Sequence, residues 1–445
     1  MKHLEATLLL VPSLLVAQVP TPAPQRITFA EAIQIALKQN LTVRQIENNL
    51  DVQQATAKQA FKNLLPSFGV GMSASENVGQ QFNLNTGKLT TQTTKSLSPG
   101  VSSNVLLFDG GRSYSNVASA RRNADALEMD VSRARQTAVF TVATNFVTLV
   151  GAQSQLDVQR QNLAAVKAQL EQIELYVEAG GRPVTDAYAQ RSLAAAAELG
   201  VAQAELAVEN ARIDLISALQ LDPSRQYEFI PPSIADVPVI ESFPLDSLVA
   251  VANAHRPDVA AARDRLLAAR QDSRGARMSR LPTISANLNY GTAWTSASDS
   301  SIGYQFNQRR GGGVGLNFSL PIFDRGQVTL NEARTEVAEE NAQLALQNQQ
   351  RVAALEVRRS WATLHSAQQQ LAAATAQEKS ASLAIEGVQQ RYRAGAAAQY
   401  EIAQAQSQLV TAQSALASAR YNLILARTLL SYYTGTLDPS AIRLQ

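Results

Sequence analysis

The chain repeats itself at a spacing of about 215 residues, and this duplication constrains the fold more than any other feature. Five short segments recur in the same order and at nearly equal intervals in both halves. The matched pairs are Phe29–Val43 with Leu245–Val259, Leu65-Pro66 with Leu281-Pro282, Leu107–Gly111 with Ile322–Gly326, Glu178–Gly180 with Arg393–Gly395, and Leu221–Pro223 with Leu437–Pro439. The sequence therefore predicts one elongated unit built twice rather than independent globular domains.

Pro-rich stretches and an apolar start divide the rest of the chain. The apolar run that ends at Ala17 predicts a secretory signal peptide, although a buried or disordered tail is the alternative interpretation. The predicted segments, in chain order, are the signal peptide at 1–17, a linker at 18–26, the first repeat at 27–223, an inter-repeat linker at 224–243, the second repeat at 244–440 and a tail at 441–445.

The sequence of each repeat predicts the same order of elements: a helix, two strands, a very long helix and a return helix. The predicted first helices are 29–63, with a break near Asn40, and 245–280; the strands are about 66–76, 100–109, 282–294 and 312–323; the long helices are about 113–176 and 328–392; the return helices are 185–220 and 400–433. No proline interrupts either long helix, and a rod of about 64 residues is about 95 Å long. Their Ala-rich faces indicate helices packed side by side, for which an ordinary antiparallel coiled coil is the simplest alternative.

The strands alternate between apolar and polar residues, which a coiled coil alone does not explain. Ile284, Ala286 and Leu288 alternate with Ser285 and Asn287, the predicted strand 312–323 follows the same period of two, and the strands of the first repeat follow it more weakly. Such strands suit an outer-membrane barrel, with the apolar face toward lipid and the polar face toward water. Four strands cannot close a barrel, so several subunits must share it, two giving eight strands and three giving twelve.

Composition argues against most chemical functions. The chain has no cysteine and three histidines, His3, His255 and His365, which leaves no basis for thiolate or histidine metal sites or a catalytic triad. The formal net charge of +2 provides no electrostatic footprint for nucleic acid. Gly311–Gly313 precedes a strand and lacks the strand-then-helix setting of a phosphate loop. We expect no enzyme, no cofactor, no metal and no nucleic-acid partner.

These features resemble the TolC-type outer membrane efflux protein family over residues 26–440. The resemblance rests on the duplicated layout, the two Leu-Pro breaks, the strand exits Leu107–Gly111 and Pro321–Gly326, and Arg391–Gly395. It implies a mainly α fold with a small membrane β-barrel. The expected assembly is a homotrimer, whose twelve-stranded barrel in outer-membrane lipid continues as a twelve-helix tunnel through the periplasm.

The resemblance also implies partners and a function. The expected partners are a periplasmic adaptor (membrane fusion) protein and an inner-membrane RND, MFS or ABC transporter, which would supply the energy. The predicted function is an outer-membrane channel-tunnel that exports small molecules or drugs. The same duct serving type I protein secretion remains an alternative, and a non-channel periplasmic coiled-coil tether is an alternative of a different class.

By the same resemblance, a gate lies at the periplasmic helix tips. The positions carried over are Asp186, Tyr392 and Glu401, with a Tyr392–Asp186 hydrogen bond as the latch and carboxylate rings that favour cations. Ala397 stands where the family often has a basic residue, and Gln404 where it often has a second acidic one, which puts an Arg–Asp latch in doubt.

Structural roles are the competing interpretation of these tip residues. Asp186 and Glu401 lie in the first turn of a predicted helix, where the helix dipole alone favours a carboxylate. Tyr392 can serve packing. Gly180 and Gly395 are expected to end their helices with positive φ. The bare turns of Gly180, Gly181, Gly395 and Ala396 are also the expected adaptor-contact surface.

Overall fold

The computed structural model describes residues 24–83, 87–230 and 244–437. The predicted signal peptide at 1–17, the tail at 441–445 and most of both predicted linkers lie outside the described residues. Within the described part of the chain, no helix combines the length and the apolar character needed to cross a bilayer.

Each repeat begins with a helix that is broken in its middle. α1 (Phe29–Gln39) and α2 (Leu41–Lys62) meet at the predicted break, where the Asn40 side chain accepts a hydrogen bond from the next helix. The predicted single helix 245–280 is instead two, α5 (Leu245–His255) and α6 (Pro257–Met278). The break falls there because a proline disfavours helical backbone at the residue before it.

The two long helices are equal in length. α3 (Arg112–Glu178) and α8 (Gln327–Arg393) have 67 residues each, one or two more at each end than predicted. At about 1.5 Å of rise per residue, each rod is about 100 Å long. The return helices α4 (Val184–Ala218) and α9 (Gln399–Thr434) pack against α3 and α8, respectively.

The strands of the first repeat are longer than the sequence indicated. β2 (Ser67–Asn83) and β3 (Lys88–Phe108) replace the predicted strands 66–76 and 100–109. The polar stretch between residues 80 and 98 lies outside both predicted strands. Most of it pairs in register across the hairpin, because its Thr and Ser side chains tolerate an extended backbone well.

The strands of the second repeat are shorter than expected. β5 (Thr283–Gly291) stops before the predicted end at 294, and the short β6 (Trp294–Thr295) pairs separately with β3. β7 (Gly311–Ser319) ends before the predicted 323, where Pro321 offers no backbone donor to continue the ladder. The loop before β7 contains a short helix, α7 (Ile302–Gln308), which the sequence did not reveal.

The main sheet has the order β2-β3-β5-β7, with every neighbour antiparallel. One face is apolar and exposed, and Phe68 and Val70 are each 77% accessible there. The other face is polar and small, with Ser67, Asn104, Asn287 and Gly315 side by side at one level. At another level of this face all four strands contribute glycine, namely Gly71, Gly100, Gly291 and Gly311.

A second, small sheet anchors segments that the sequence assigned to linkers. β1 (Gln25–Thr28) pairs in parallel with β4 (Tyr227–Ile230), so residues 25–26 and 227–230 are strands rather than linker. The reason is burial of alternate side chains: Ile27, Tyr227 and Phe229 pack into the main hydrophobic core. Phe146 of α3 lies at the centre of that core, edge-on to Phe29 at 5.3 Å and to Phe229 at 6.1 Å.

The helices form a wall one layer thick. Near the main sheet the order across the wall is α2, α3, α6, α8, and at the far end it is α4, α3, α9, α8. The outer edges of the wall are therefore α2 and α4 on one side and α8 on the other. These edges and the strands β2 and β7 lie on the two lateral boundaries of the described chain.

Buried charges hold the helix break of the second repeat in place. Arg256, whose side chain is 2% exposed, forms ion pairs at 2.6 Å with Asp258 and with Glu356 of α8. Burial alone would raise the pKa of Asp258, but hydrogen bonds from Arg256 and the charge of Arg133 hold it below its ordinary value. The cluster thus joins α3, α6 and α8 at one height of the wall.

An aspartate organises each passage from strand to long helix. The Asp109 carboxylate accepts hydrogen bonds from the backbone amides of Gly111 at 3.1 Å and Ser113 at 2.8 Å. Asp324 does the same in the second repeat, for Gly326 at 3.0 Å and for the amide at position 328 at 2.6 Å. These bonds satisfy amides at the helix start that have no partner within the helix.

The same junction requires two consecutive residues in the left-handed conformation. In the first repeat they are Gly110 and Gly111, with φ of 74° and 96°, and in the second they are Arg325 and Gly326, with φ of 57° and 79°. This backbone explains the Phe-Asp-x-Gly motif shared by both strand exits, since glycine adopts positive φ without steric cost.

Replacing Asp109 by alanine should destabilise the fold by about 1–2 kcal/mol, because two amide donors lose their acceptor. Asp109→Asn keeps an acceptor oxygen and should cost less. Thermal unfolding of detergent-solubilised protein, followed by circular dichroism, measures both. Asp299→Ala, in an exposed loop, is the control. Equal melting temperatures for Asp109→Ala and Asp299→Ala would contradict the capping role.

Candidate functional site at the helix tips

The two turns at the far end of the rods are built in the same way. At the end of α3, the Gly181 amide donates to the Tyr176 carbonyl at 2.8 Å and the Gly180 amide to the Val177 carbonyl at 3.0 Å. At the end of α8, Ala396 and Gly395 make the equivalent bonds to Arg391 at 2.8 Å and Tyr392 at 3.0 Å. Both are Schellman motifs, which satisfy the last carbonyls of a helix.

Glycine is needed in these turns for its backbone, not for space. Gly180 and Gly395 have φ of 70° and 72°, which confirms the predicted cap role. A Cβ built on either residue meets nothing within 4 Å. The turns therefore present bare backbone to solvent, with room for another molecule to approach.

Tyr392, in the last turn of α8, reaches across to the turn of the other hairpin. The guanidinium of Arg182 lies over its ring, 4.4 Å from the centroid. The ring also packs on an apolar cluster between α8 and α9 formed by Ile385, Ile402 and Ala405. The side chain thus bridges the two hairpin tips of one chain.

The Tyr392 hydroxyl is buried and has no hydrogen-bond partner among the described residues. The predicted Tyr392–Asp186 hydrogen bond is therefore not formed between the hairpins of a single chain. Burial raises the pKa of the Tyr392 phenol; Arg182 opposes this effect and Asp186 adds to it. Tyr392 is accordingly neutral at physiological pH, and its contact with Arg182 is one of ring and cation rather than of two charges.

The two predicted carboxylates have local roles in the chain. Asp186 lies half-buried in the first turn of α4, where its amide donates to the Pro183 carbonyl at 3.1 Å. Glu401 accepts a hydrogen bond from the Ala398 amide at 3.1 Å and pairs with Arg391 at 3.3 Å. The cap interpretation is thus confirmed for Glu401, and its charge is compensated by a neighbour.

A buried pair of glutamines joins the two hairpins near the helix tips. The Gln399 amide donates to the side-chain oxygen of Gln190 at 2.8 Å, and the Gln190 amide donates to the Val166 carbonyl at 3.1 Å. Gln190 is 2% exposed and Gln399 8%. The sequence analysis missed both glutamines, because glutamine is frequent along these helices. It also missed Arg182, for which the turn sequence Gly-Gly-Arg-Pro was the only local signal.

The positions where the sequence departs from the family remain without a charge. Ala397 is half-buried between the cap and α9, and Gln404 is exposed on α9. The basic group near Tyr392 comes instead from Arg182, on the turn of the first hairpin. Among the described residues, no group of three or more His, Asp or Glu side chains is placed to hold a metal ion.

Comparison with known sequences matches both repeats to one family. The profile of the outer membrane efflux protein family matches residues 32–220 and 248–436. The pyoverdine export outer membrane protein OpmQ of Pseudomonas putida is 24% identical over 348 residues, 77% of this chain and 72% of that protein. The outer membrane efflux protein BepC of Brucella suis is 23% identical over 423 residues, 93% of this chain and 89% of BepC.

Solved structures share the fold. A membrane protein of Pseudomonas aeruginosa has a TM-score of 0.81 at 21% identity, covering 94% of this chain and 92% of its own. The outer membrane protein VceC of Vibrio cholerae has a TM-score of 0.79 at 18% identity, covering 92% of this chain and 96% of its own. This chain therefore shares its fold with these two proteins.

The cap glycines can be tested against a helical glycine in the same rod. Gly395→Ala should destabilise its turn by about 1–2 kcal/mol, because alanine resists positive φ. Gly387→Ala, inside α8 where an added Cβ meets nothing within 4 Å, should instead stabilise the helix by about 1 kcal/mol. Hydrogen exchange of the turn amides measures the difference, and faster exchange in both variants would refute the cap assignment.

Proposed function

Because the chain belongs to the outer membrane efflux protein family, whose members are channels rather than enzymes, we propose that three copies form a closed duct for small molecules. The protein is thus an efflux protein of the outer membrane, and its long hairpins extend into the periplasm. One observation carries the proposal: the strands and helices form a continuous wall whose two side edges have no neighbour within the described chain.

The open edges of the sheet support closure by further copies. In the described chain β2 and β7 each have a neighbour on one side only. Lipid cannot satisfy the free backbone groups of an edge strand, so β2 must pair with β7 of the next copy. Two copies would give eight strands with an interior filled by side chains, whereas three give twelve strands and leave a pore.

The outer helices support the same closure. α4 exposes Leu199, Leu206 and Ile213 at a spacing of seven residues, and α8 exposes Leu330, Val337 and Leu344 at the same spacing. A seven-residue apolar repeat packs against another helix rather than facing water. Lateral association of copies would bury these stripes along the rods.

The two faces of the main sheet fit a membrane duct. Its apolar face ends in Tyr290 and Trp294 toward the outer rim, as expected of an interfacial aromatic girdle. Its polar face would line the pore with serine, asparagine and glycine. Because that lining carries no charge over the levels where all four strands pair, the barrel itself would not select cargo by charge.

We place the gate at the helix tips, where the hairpins of three copies would converge. Tyr392 under Arg182 would hold the two tips of each chain together, and Asp186 lies beside this contact. Glu401 would face the constriction from the start of α9, with its charge reduced by Arg391. The gate proposed here uses a cation–π contact where the family pattern led us to expect a hydrogen bond.

The bare turns at Gly180, Gly181, Gly395 and Ala396 are the proposed contact surface for a periplasmic adaptor. Through that adaptor an inner-membrane RND, MFS or ABC transporter would deliver cargo to the duct. The relative OpmQ is named as an exporter of pyoverdine, which favours small molecules over secreted proteins as cargo. Type I secretion would be indicated by copurification with an ABC exporter and its protein substrate.

Imaging of detergent-solubilised particles tests the assembly. We expect three-fold rods well over 100 Å long, of which the helices supply about 100 Å. Planar bilayers containing the protein should show channels. Protein that stays soluble without detergent and never conducts would instead be a periplasmic coiled-coil tether.

The gate contact predicts a specific order of variants. Arg182→Ala and Tyr392→Ala should each raise the open-to-closed ratio about two- to fivefold, the worth of an exposed cation–π contact. Tyr392→Phe should not raise the ratio, because it removes only a buried hydroxyl that has no hydrogen-bond partner in the closed state. Single-channel recording measures the ratio, and Tyr400→Ala, an exposed tyrosine of α9, is the control.

A second combination separates this contact from a hydrogen-bond latch between neighbouring copies. Asp186→Ala with Tyr392→Phe should raise conductance only if such a latch exists in the assembly. An increase there, together with no effect of Arg182→Ala, would overturn the cation–π assignment. If neither change alters conductance or antibiotic uptake, these residues do not form the gate.

A further inference from the structure

The seam between the two hairpins is polar toward the tips. In the half of α9 nearer the tips, three side-chain hydrogen bonds connect it to the first hairpin: Gln399 to Gln190 at 2.8 Å, Gln406 to Asn162 at 3.1 Å, and Gln155 to Ser414 at 2.7 Å. On α9 these positions follow one another at intervals of seven and eight residues, so they lie on one face of the helix. Side-chain amides thus make regularly spaced hydrogen bonds where the hairpins meet.

The seams inside each hairpin have mainly apolar interiors, and the ion pairs that flank the α3–α4 seam, such as Lys167–Glu198, are exposed to solvent. Between α3 and α4 the buried residues of the return helix are mainly alanines with Val208 and Leu215, and α8 and α9 share the cluster of Ile385, Ile402 and Ala405. Water competes for a hydrogen bond but not for a close apolar contact, so a polar seam parts at lower cost. Each hairpin should therefore move as a unit, and separation should occur along α9.

We propose that Gln190 and Gln399 form a clasp that positions the second hairpin against the first and sets how readily the tips part. This inference rests on the proposed duct and adds two positioning residues to it. The pair is suited to the role because it is the most buried of the three polar contacts and the one nearest the helix tips. Gln190 is itself anchored to α3 through the Val166 carbonyl.

The clasp is incompletely satisfied, and this makes it reversible. The side-chain oxygen of Gln399 and the hydroxyl of Tyr392 are both buried without a hydrogen-bond partner in the part of the chain that the structure describes. Parting of the tips would expose both atoms to water, which offers each a partner. The bond lost between the glutamines is thus offset by two groups gaining hydration, so the clasped and parted states lie close in free energy.

Leucine substitutions test the clasp, because the single and double variants should change the open-to-closed ratio in opposite directions. Gln190→Leu alone leaves the Gln399 amide buried with no acceptor, so the open-to-closed ratio should rise about tenfold. Gln190→Leu combined with Gln399→Leu replaces both partners by apolar groups of similar size, so the ratio should return to the wild-type value or below it. Gln408→Leu, at an exposed glutamine of the same helix, should change nothing.

Single-channel recording in planar bilayers measures these ratios, and thermal unfolding verifies that each variant is folded. A merely structural role predicts that the double variant is at least as perturbed as the single one. An open-to-closed ratio in the double variant at or above that of Gln190→Leu would therefore overturn the clasp.

Cross-linking provides a second test, because the chain contains no cysteine of its own. Gln190→Cys with Gln399→Cys, joined by a short bifunctional maleimide, should hold the tips together and suppress openings at least tenfold. Ser414→Cys with Gln155→Cys, higher on the same seam, should suppress them less. Unchanged openings after complete cross-linking would refute the clasp while leaving the duct intact, whereas absence of channels in the wild type would refute the duct itself.

Discussion

A sheet of four strands cannot satisfy the backbone hydrogen bonds of its own edges, and the rest of this molecule follows from that constraint. In the described chain β2 and β7 each offer an unpaired row of donors and acceptors next to a face of exposed apolar side chains. In water such an edge would invite aggregation, and in lipid it could not exist. The helical wall has open edges on the same two sides as the sheet, along α2 and α4 on one side and α8 on the other. Side-by-side association of copies would therefore close the sheet and the helical tube together.

The long rods were predictable because their cause is local. No proline interrupts them, alanine is abundant, and the Phe-Asp-x-Gly and Ala-Gly motifs mark their two ends. The predicted ends of the strands were less accurate, because a Thr- and Ser-rich sequence is compatible with both a loop and a paired strand. Pairing between β2 and β3 makes this stretch a strand. The second helix break went unpredicted although Pro257 marks it, and the buried ion pairs of Arg256 stabilise it through contacts distant in sequence.

The candidate site divides in the same way. The cap roles of Gly180, Gly395 and Glu401 depend only on residues close to them in sequence, so they could be assigned from the sequence alone. Arg182 and the two glutamines act across about 210 residues, and nothing in the local sequence distinguishes Gln190 from its many neighbours of the same type. Partners of this kind become visible only when the two hairpins are placed side by side.

Equal rods also imply a rule for how such a chain can change. Both α3 and α8 have 67 residues, and their turns are held at one height by Arg182 and Tyr392. An insertion of one heptad into α3 alone would lower its turn by about 10 Å and separate these side chains. The lengths of α3 and α8 can therefore change only together, with matching changes in both return helices. An insertion or deletion in one repeat must be accompanied by an equal one in the other.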